Sequence, residues 1–485
     1  MFLSKSDFLM GIDCVKSLWL KKNRKDLIAS ADEATQRRFD IGNAVQEIAR
    51  LRYPTGVMCP QDEDVIEDAT KTKALSVEND VLFEATAFNQ NGTFCRIDIM
   101  EKRGDVWDLT EIKSAAEVKD YYIDDLAFQK YVFQTAGYSI DRCKVLYINN
   151  KYVRQKELDI EQLFTLEDVT EQVNERLFNV PAEAENYLKI QAQEQEPQIF
   201  LKSSCQECPF YHYCGKDVPE YSIFDLLKSK EADVFYAEHN SLRVEDVPES
   251  YCSTPTQLID REAYLTGQLH IEPAEIKAFL DTLEYPLYYL DFETAQLAIP
   301  LFEKSKPYAQ IPFQYSLHIQ REKDGPAEHK GYLHREKSDP RRKLAEQLIA
   351  DCGKTGSIIA YNATFEKTRI KELANLFPDL SDDLLALNER MADQLIPFRR
   401  RALYSPKQKT SASIKYVLPA FSDLSYKDME VHNGGEAMSR YQAFLENRLT
   451  AEEEKILFEG LDAYCGQDTY AMVVLMKVLY QYAGE

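Results

Sequence analysis

From Tyr285 onward, one succession of patterns narrows the possible folds more than any other feature of the chain. Apolar, β-branched and aromatic residues predict strands over 287–293, 312–320 and 330–334, then a helix over 341–351, a strand over 357–361 and a helix over 364–376. Three meandering strands followed by helix, strand and helix make an α/β domain. Upstream, helices are expected over most of 1–30 (capped by Ser4 or Ser6) and over 31–51, strands over 81–88, 94–100 and 107–114, a helix over 124–138 and a strand over 144–148. This first part is therefore also mixed α and β. Between the two, 215–283 shows no strand alternation, only short helical pieces at 256–264 and 273–283, and reads as a connector. At 485 residues two to four domains are expected, which fits this division.

With 58 Lys and Arg against 81 Asp and Glu, the net charge is −23, which argues against a broad phosphate-binding surface. Lys5, Asp7, Asp13 and Lys16 interrupt the N-terminal apolar residues, so no signal peptide is expected, and no apolar run is long enough to span a bilayer. A cytoplasmic location follows as the expectation, and in that compartment clustered cysteines bind metal more often than they form disulfides.

The first constellation is Asp98, Glu111 and Lys113. In Thr110-Glu111-Ile112-Lys113 the strand period places Glu111 and Lys113 on one face and Ile112 in the core, with Asp98 on the preceding strand. Two carboxylates and an ammonium would meet at the edge of a sheet, a set suited to divalent-ion-assisted phosphodiester hydrolysis. An isolated E-x-K is otherwise a surface ion pair. These residues resemble the PD-(D/E)xK nuclease superfamily, and Gln129 in Ala127-Phe128-Gln129-Lys130-Tyr131 resembles the glutamine helix of its RecB-type branch. That branch places a histidine metal ligand after a glycine on an upstream helix. Here Gly42 is followed by Gln46 and Glu47, one of which would have to substitute.

Cys205, Cys208 and Cys214 form a C-x2-C-x5-C run, three soft ligands of a site that needs four. Zinc completed by His212 or another cysteine is one reading. The other follows from resemblance to RecB-type nucleases with an iron-sulfur staple, the CRISPR-associated branch and AddB, in which one cysteine precedes the nuclease core and three follow it. Cys14 would then be the fourth ligand of a 4Fe-4S cluster that closes the domain as a loop.

The second constellation begins with Asp291 and Glu293 on one face of a strand, costly to bury without a cation between them. Asn362 and Glu366, and likewise Tyr464 and Asp468, lie four apart and would each share a helix face. In order and spacing these resemble the three motifs of DnaQ-like, RNase H-fold exonucleases, the subclass with tyrosine in the last motif. Glu366 stands where aspartate is usual. The resemblance implies that Asp291, Glu293, Glu366 and Asp468 hold two divalent ions, Mg²⁺ or Mn²⁺, and that Tyr464 orients the attacking water. Asp393 is a further candidate ligand or a helix cap.

Between 394 and 416, Arg399, Arg400, Arg401, Lys407, Lys409 and Lys415 are interleaved with Phe398, Tyr404 and Tyr416 and no acid, a combination suited to single-stranded nucleic acid or to a solvated basic loop. The expectation is a PD-(D/E)xK restriction-endonuclease-like domain with an iron-sulfur staple over 1–218, a connector over 219–284 and an RNase H-like exonuclease domain over 285–485. Such a protein would act on DNA, single-stranded or with free ends, or on RNA, in repair or in defence against mobile elements. The alternative is a nucleic-acid-binding or assembly protein with degenerate sites, motivated by Gln46 and Glu366.

Overall fold

The computed structural model describes residues 2–28, 33–62, 64–424 and 434–484. The chain is mixed α/β and forms two compact units, one of residues 1–200, 207–216 and 298–308, the other of 201–206, 217–297 and 309–485. Among the described residues no helix is long and apolar enough to cross a membrane.

In the first unit, seven strands form one sheet: β1 (Leu3–Ser4), β2 (Val57–Met58), β3 (Val81–Phe88), β4 (Thr93–Arg103), β5 (Val106–Lys113), β6 (Ile140–Ile148) and β7 (Phe164–Asp168). The order is β2-β3-β4-β5-β6-β7, with β1 paired to β4. Asp98 on β4 and Glu111 on β5 are thus on central strands rather than at the sheet edge expected from the sequence. The meander β3-β4-β5 is antiparallel, and β6 returns parallel to β5 after the helix Asp120–Thr135. That helix supplies Leu126, Phe128 and Phe133 to one core, which Trp107 and Leu109 complete. On the other face Val45 and Ala49 of the helix Glu33–Arg50 pack with Ile99, Ile112 and Leu146.

The strand period is broken at one level of this sheet. Val81 and Phe83 face the second core, whereas Ala85 and Ala87 face the first; in β4, Cys95 and Ile97 face the first and Ile99 the second. Both strands change face at Glu84 and Asp98, and Glu84 adopts φ 52°, a conformation uncommon for a residue with a Cβ.

The second unit is built on a five-stranded sheet in the order β11-β10-β9-β12-β13. A two-residue strand β8 (His270–Ile271) precedes it; its members are β9 (Leu287–Gln296), β10 (Gln310–Gln320), β11 (Ala327–Leu333), β12 (Ser357–Ala360) and β13 (Met391–Asp393), and β14 (Leu403–Tyr404) pairs with β8 outside it. β9, β10 and β11 form the antiparallel meander, and β12 adds parallel to β9. Tyr288, Leu290 and Phe292 point into a core made with the helices Arg341–Cys352 and Thr364–Leu376. The alternate residues of β9 therefore face the opposite layer, occupied by the helix Ala451–Ala483, which starts at a Thr450–Glu453 capping box.

Buried polar contacts hold that helix in register. The Gln314 amide donates to the Leu461 carbonyl at 2.9 Å, the Gln394 amide to the Met472 carbonyl at 2.9 Å, and Ser316 Oγ lies 2.7 Å from Thr469 Oγ1. The stretch expected as a connector has its own core of Tyr221, Ile223, Phe224, Phe235, Val244 and Val247 and is part of the second unit.

Candidate active site

In the second unit, Asp291 and Glu293 stand on the central strand β9, Glu366 lies in the first turn of Thr364–Leu376, and Tyr464 and Asp468 lie one turn apart on Ala451–Ala483. These elements bring all five into a cleft of about 340 Å³, lined also by Thr294, Gln310, Asn362, Phe365, Gly434 and Met438. Asn362 is not on the helix face expected for it. It precedes the helix, in the turn that follows β12, with φ 77°. Its backbone N–H donates to Asp393 Oδ1 at 3.0 Å, as does that of Leu395, so Asp393 serves the turn between β13 and the next helix.

The electrostatics of the cleft are those of acids crowded away from water. Burial, with Asp468, Glu293 and Glu366 nearby, pushes the Asp291 carboxyl well above the usual range. Burial raises Glu293 to about 8, with Asp468 adding to the shift and Lys415 opposing it. Burial likewise raises Glu366 to about 8. Tyr464 hydrogen-bonds Asp468, and its hydroxyl is pushed up by burial and by the surrounding carboxylates. The Lys415 ammonium lies 5.5 Å from the centre of the Tyr464 ring.

This donor set fits a hard divalent cation. Glu366 Oε2 is buried without a hydrogen-bond donor, an arrangement that costs free energy unless something positive faces it. Asp291, Glu293 and Cys465 are the one group of three, among the described residues, whose ligand atoms all lie within 4.8 Å of one another. Cys465 sits with its sulfur 3.8 Å from Asp291 Oδ2. Its position, one residue after Tyr464, is the only sequence signal that marked it.

The first unit's constellation is also assembled, but differently. Glu111 accepts from Lys113 Nζ at 2.9 Å and from the Gln129 amide at 2.8 Å. Asp98 accepts from the Ile112 backbone N–H at 2.6 Å and from the Gln46 amide at 2.9 Å, while Glu47 is exposed. Three residues of this cluster carried no role in the sequence reading: Lys5, 2.8 Å from Glu111; Asp125, 2.8 Å from Lys113; and Glu84, paired with Arg50. Burial, with Glu111 beside it, drives Asp98 well above the usual carboxyl range. Burial works the same way on Glu111, but Lys113, Lys5 and Gln129 overcome it and hold that carboxyl low. Every oxygen of Asp98, Glu111 and Asp125 already receives an N–H, and Glu111 Oε1 receives two ammonium groups, so a divalent cation would have to compete with donors already in place.

Of the four cysteines, Cys208 and Cys214 pack beside Trp19, Leu20 and Phe210 in the first unit, and Cys208 Sγ lies 3.3 Å from Ser17 Oγ. Ser17 is on the helix Val15–Asn23, which Cys14 immediately precedes as its N-cap residue. Cys205 accepts from the Lys202 backbone N–H at 3.4 Å within the second unit.

The expected basic path divides. Arg399, Arg400 and Lys407 are exposed, and Lys409 donates to the Glu220 carbonyl at 2.7 Å. Arg401 is turned inward, its guanidinium clamping Asp260 at 2.6 and 2.9 Å and covering the buried Tyr404 ring. It holds the fold together and cannot reach a phosphate.

Residues 288–413 match a sequence family described as a domain of unknown function, DUF2779. The match includes Asp291, Glu293, Asn362 and Glu366 and ends before Tyr464 and Asp468. Uncharacterized protein UU173 of Ureaplasma parvum serovar 3 is 25% identical over 288 residues, which cover 55% of this chain and 40% of that protein. Uncharacterized protein MG366 homolog of Mycoplasma pneumoniae is 25% identical over 232 residues, covering 41% of this chain and 33% of that one. The chain thus spans less than half the length of these curated relatives.

Proposed function

We propose that this protein is a divalent-metal-dependent nuclease that hydrolyses phosphodiester bonds at nucleic-acid ends, DNA in the first place, with its chemistry at the cleft of the second unit. The observation that carries the reading is that four carboxylates and Tyr464 line one cleft, with Glu366 Oε2 buried there without a donor. Asp291, Glu293, Glu366 and Asp468 would hold Mg²⁺ or Mn²⁺, which when bound supplies Lewis-acid stabilisation and a water acidic enough to attack at neutral pH. The cleft volume falls within the range of small-ligand sites, enough for a terminal nucleotide. Tyr464, oriented by Asp468, would position the attacking water, and Lys415 would offset charge at the phosphoryl oxygens. Exposed Arg399, Arg400 and Lys407 would follow the strand leading in, so binding should weaken with salt.

The first unit retains the Asp98, Glu111, Lys113 and Gln129 order of a RecB-type nuclease, and Cys14, Cys205, Cys208 and Cys214 would hold its iron-sulfur cluster. A second reading, a nucleic-acid-binding or assembly role for this unit, is favoured by the full hydrogen bonding of its carboxylates. The deciding experiment incubates end-labelled single- and double-stranded DNA, and RNA, with the purified protein and Mg²⁺ or Mn²⁺. Wild type should trim an end, and Asp291→Ala should lose about a thousand-fold, equivalent to about 4 kcal/mol of transition-state stabilisation. Substrates retarded on a gel yet left intact by wild type would refute the enzyme reading.

A further inference from the structure

Three buried acids of the first unit, Asp98, Glu111 and Asp125, share one cluster with two ammonium groups, Lys5 and Lys113. Glu111 Oε1 receives Lys5 at 2.8 Å and Lys113 at 2.9 Å, and Oε2 receives Gln129 at 2.8 Å. Asp125 Oδ1 receives the same Gln129 amide at 2.7 Å with Lys5 at 3.6 Å, and Oδ2 receives Lys113 at 2.8 Å. The Asp98 oxygens receive Gln46 and Ile112. Glu84, on the adjoining strand, is answered by Arg50.

We infer that Lys5 stands in for a divalent cation in this cluster and keeps such an ion out, so that the metal dependence of the whole protein resides in the second unit. A small dication needs carboxylate lone pairs at about 2.0–2.1 Å. Here every one of those oxygens already accepts an N–H, and Glu111 Oε1, answered by both Lys5 and Lys113, has no lone pair left for an ion. An ion placed among them would also lie within a few ångströms of two ammonium groups, a repulsion that weak internal screening makes severe. Two ammoniums nearly balance three carboxylates, and the backbone N–H and amide at Asp98 answer the remaining charge.

Lys5 is not a flexible surface chain that happens to reach the site. Leu3 and Ser4 pair in parallel with Thr93 and Phe94 on β4, and Ser4 caps the helix Lys5–Asp13, so the backbone at Lys5 is anchored to the strand that carries Asp98. The N-terminal strand and the helix cap together deliver one charge, 106 residues away in sequence from Glu111.

Mn²⁺ titration of the full-length protein, followed by electron paramagnetic resonance of the free ion, tests this independently of activity. Wild type and Asp98→Asn should bind the same number of ions, and Asp291→Ala should bind fewer. Lys5→Met, which keeps the apolar stem, should gain a site, and adding Asp98→Asn should remove that gain. Loss of a wild-type site in Asp98→Asn would overturn the inference, as would a folded Lys5→Met protein with no added site. If Lys5→Met melts far below wild type, Lys5→Gln replaces it under the same two criteria. Inactive wild-type protein with this binding pattern would sink the nuclease proposal while leaving the inference standing.

Discussion

Replacing Glu366 by glutamine removes the charge but keeps the shape at the position where the second unit holds a carboxylate oxygen with no donor. Burial raises this carboxyl from 4.5 to about 8, and its unfolded-state value is ordinary. The folded protein therefore keeps its proton in a range where the unfolded chain has lost it, so stability falls as pH climbs from about 4.5 to about 8 and levels off above. At about 1.4 kcal/mol per pH unit, the whole interval sets a ceiling of about 5 kcal/mol. The carboxylates share that repulsion and can relax together, so removing one charge should return about 2 kcal/mol, or about 4 to 8 °C in melting temperature. In metal-free buffer at pH 8, Glu366→Gln should melt above wild type, and the gap should close towards pH 5. Mg²⁺ or Mn²⁺ should reverse the order, because the charge that destabilises the empty site is the charge that binds the ion. Thermal melts over this pH range, with chelator and with metal, measure both effects. A variant less stable than wild type at pH 8 without metal, by an amount that pH does not change, would refute the reasoning and make Glu366 an ordinary structural side chain.

Arg401→Met leaves Asp260 buried without its partner and should cost about 3 to 5 kcal/mol in denaturant unfolding of the second unit; Arg399→Ala and Arg400→Ala, on exposed side chains, should leave stability near wild type and weaken binding to single strands at low salt. Protein purified without oxygen should contain iron and show broad visible absorbance that Cys14→Ser or Cys208→Ser abolishes; colourless protein with stoichiometric zinc would replace the cluster assignment.

The sequence exposed those parts of the fold whose pattern is local. Residues 81–88 and 364–376 were expected as strand and helix at the bounds the structure has, because apolar spacing alone specifies each. The two-residue strands β1, β2, β8 and β14 are too short to leave a period. Lys5, Asp125 and Asp260 gain meaning only from partners brought close by the fold, so nothing in their own neighbourhoods set them apart. Arg401 was read with its basic neighbours for the same reason: its charge was visible and its burial was not. Glu84 escaped because it lies where the strand changes face, the one place where counting by two gives the wrong answer. The carboxylates of the second unit were legible because each sits on a regular element whose other face is apolar, which left one direction for the acids to point.

The segment 298–308 lies between β9 and β10 in sequence but belongs to the first unit. Ala298, Ile299 and Tyr308 join the core of Val45, Ile112 and Ile148, the Arg154 guanidinium donates to the Pro300 carbonyl, and the Tyr308 hydroxyl donates to the carbonyl of Ser114, the residue after Lys113. During synthesis, the first unit must therefore wait, with part of its apolar surface uncovered, until the ribosome has made β9 and its two acids. Neither unit can be excised as one uninterrupted stretch, and a chain that stops before residue 298 is predicted to show its defect in the N-terminal half, by exposing apolar side chains that the missing segment would have covered.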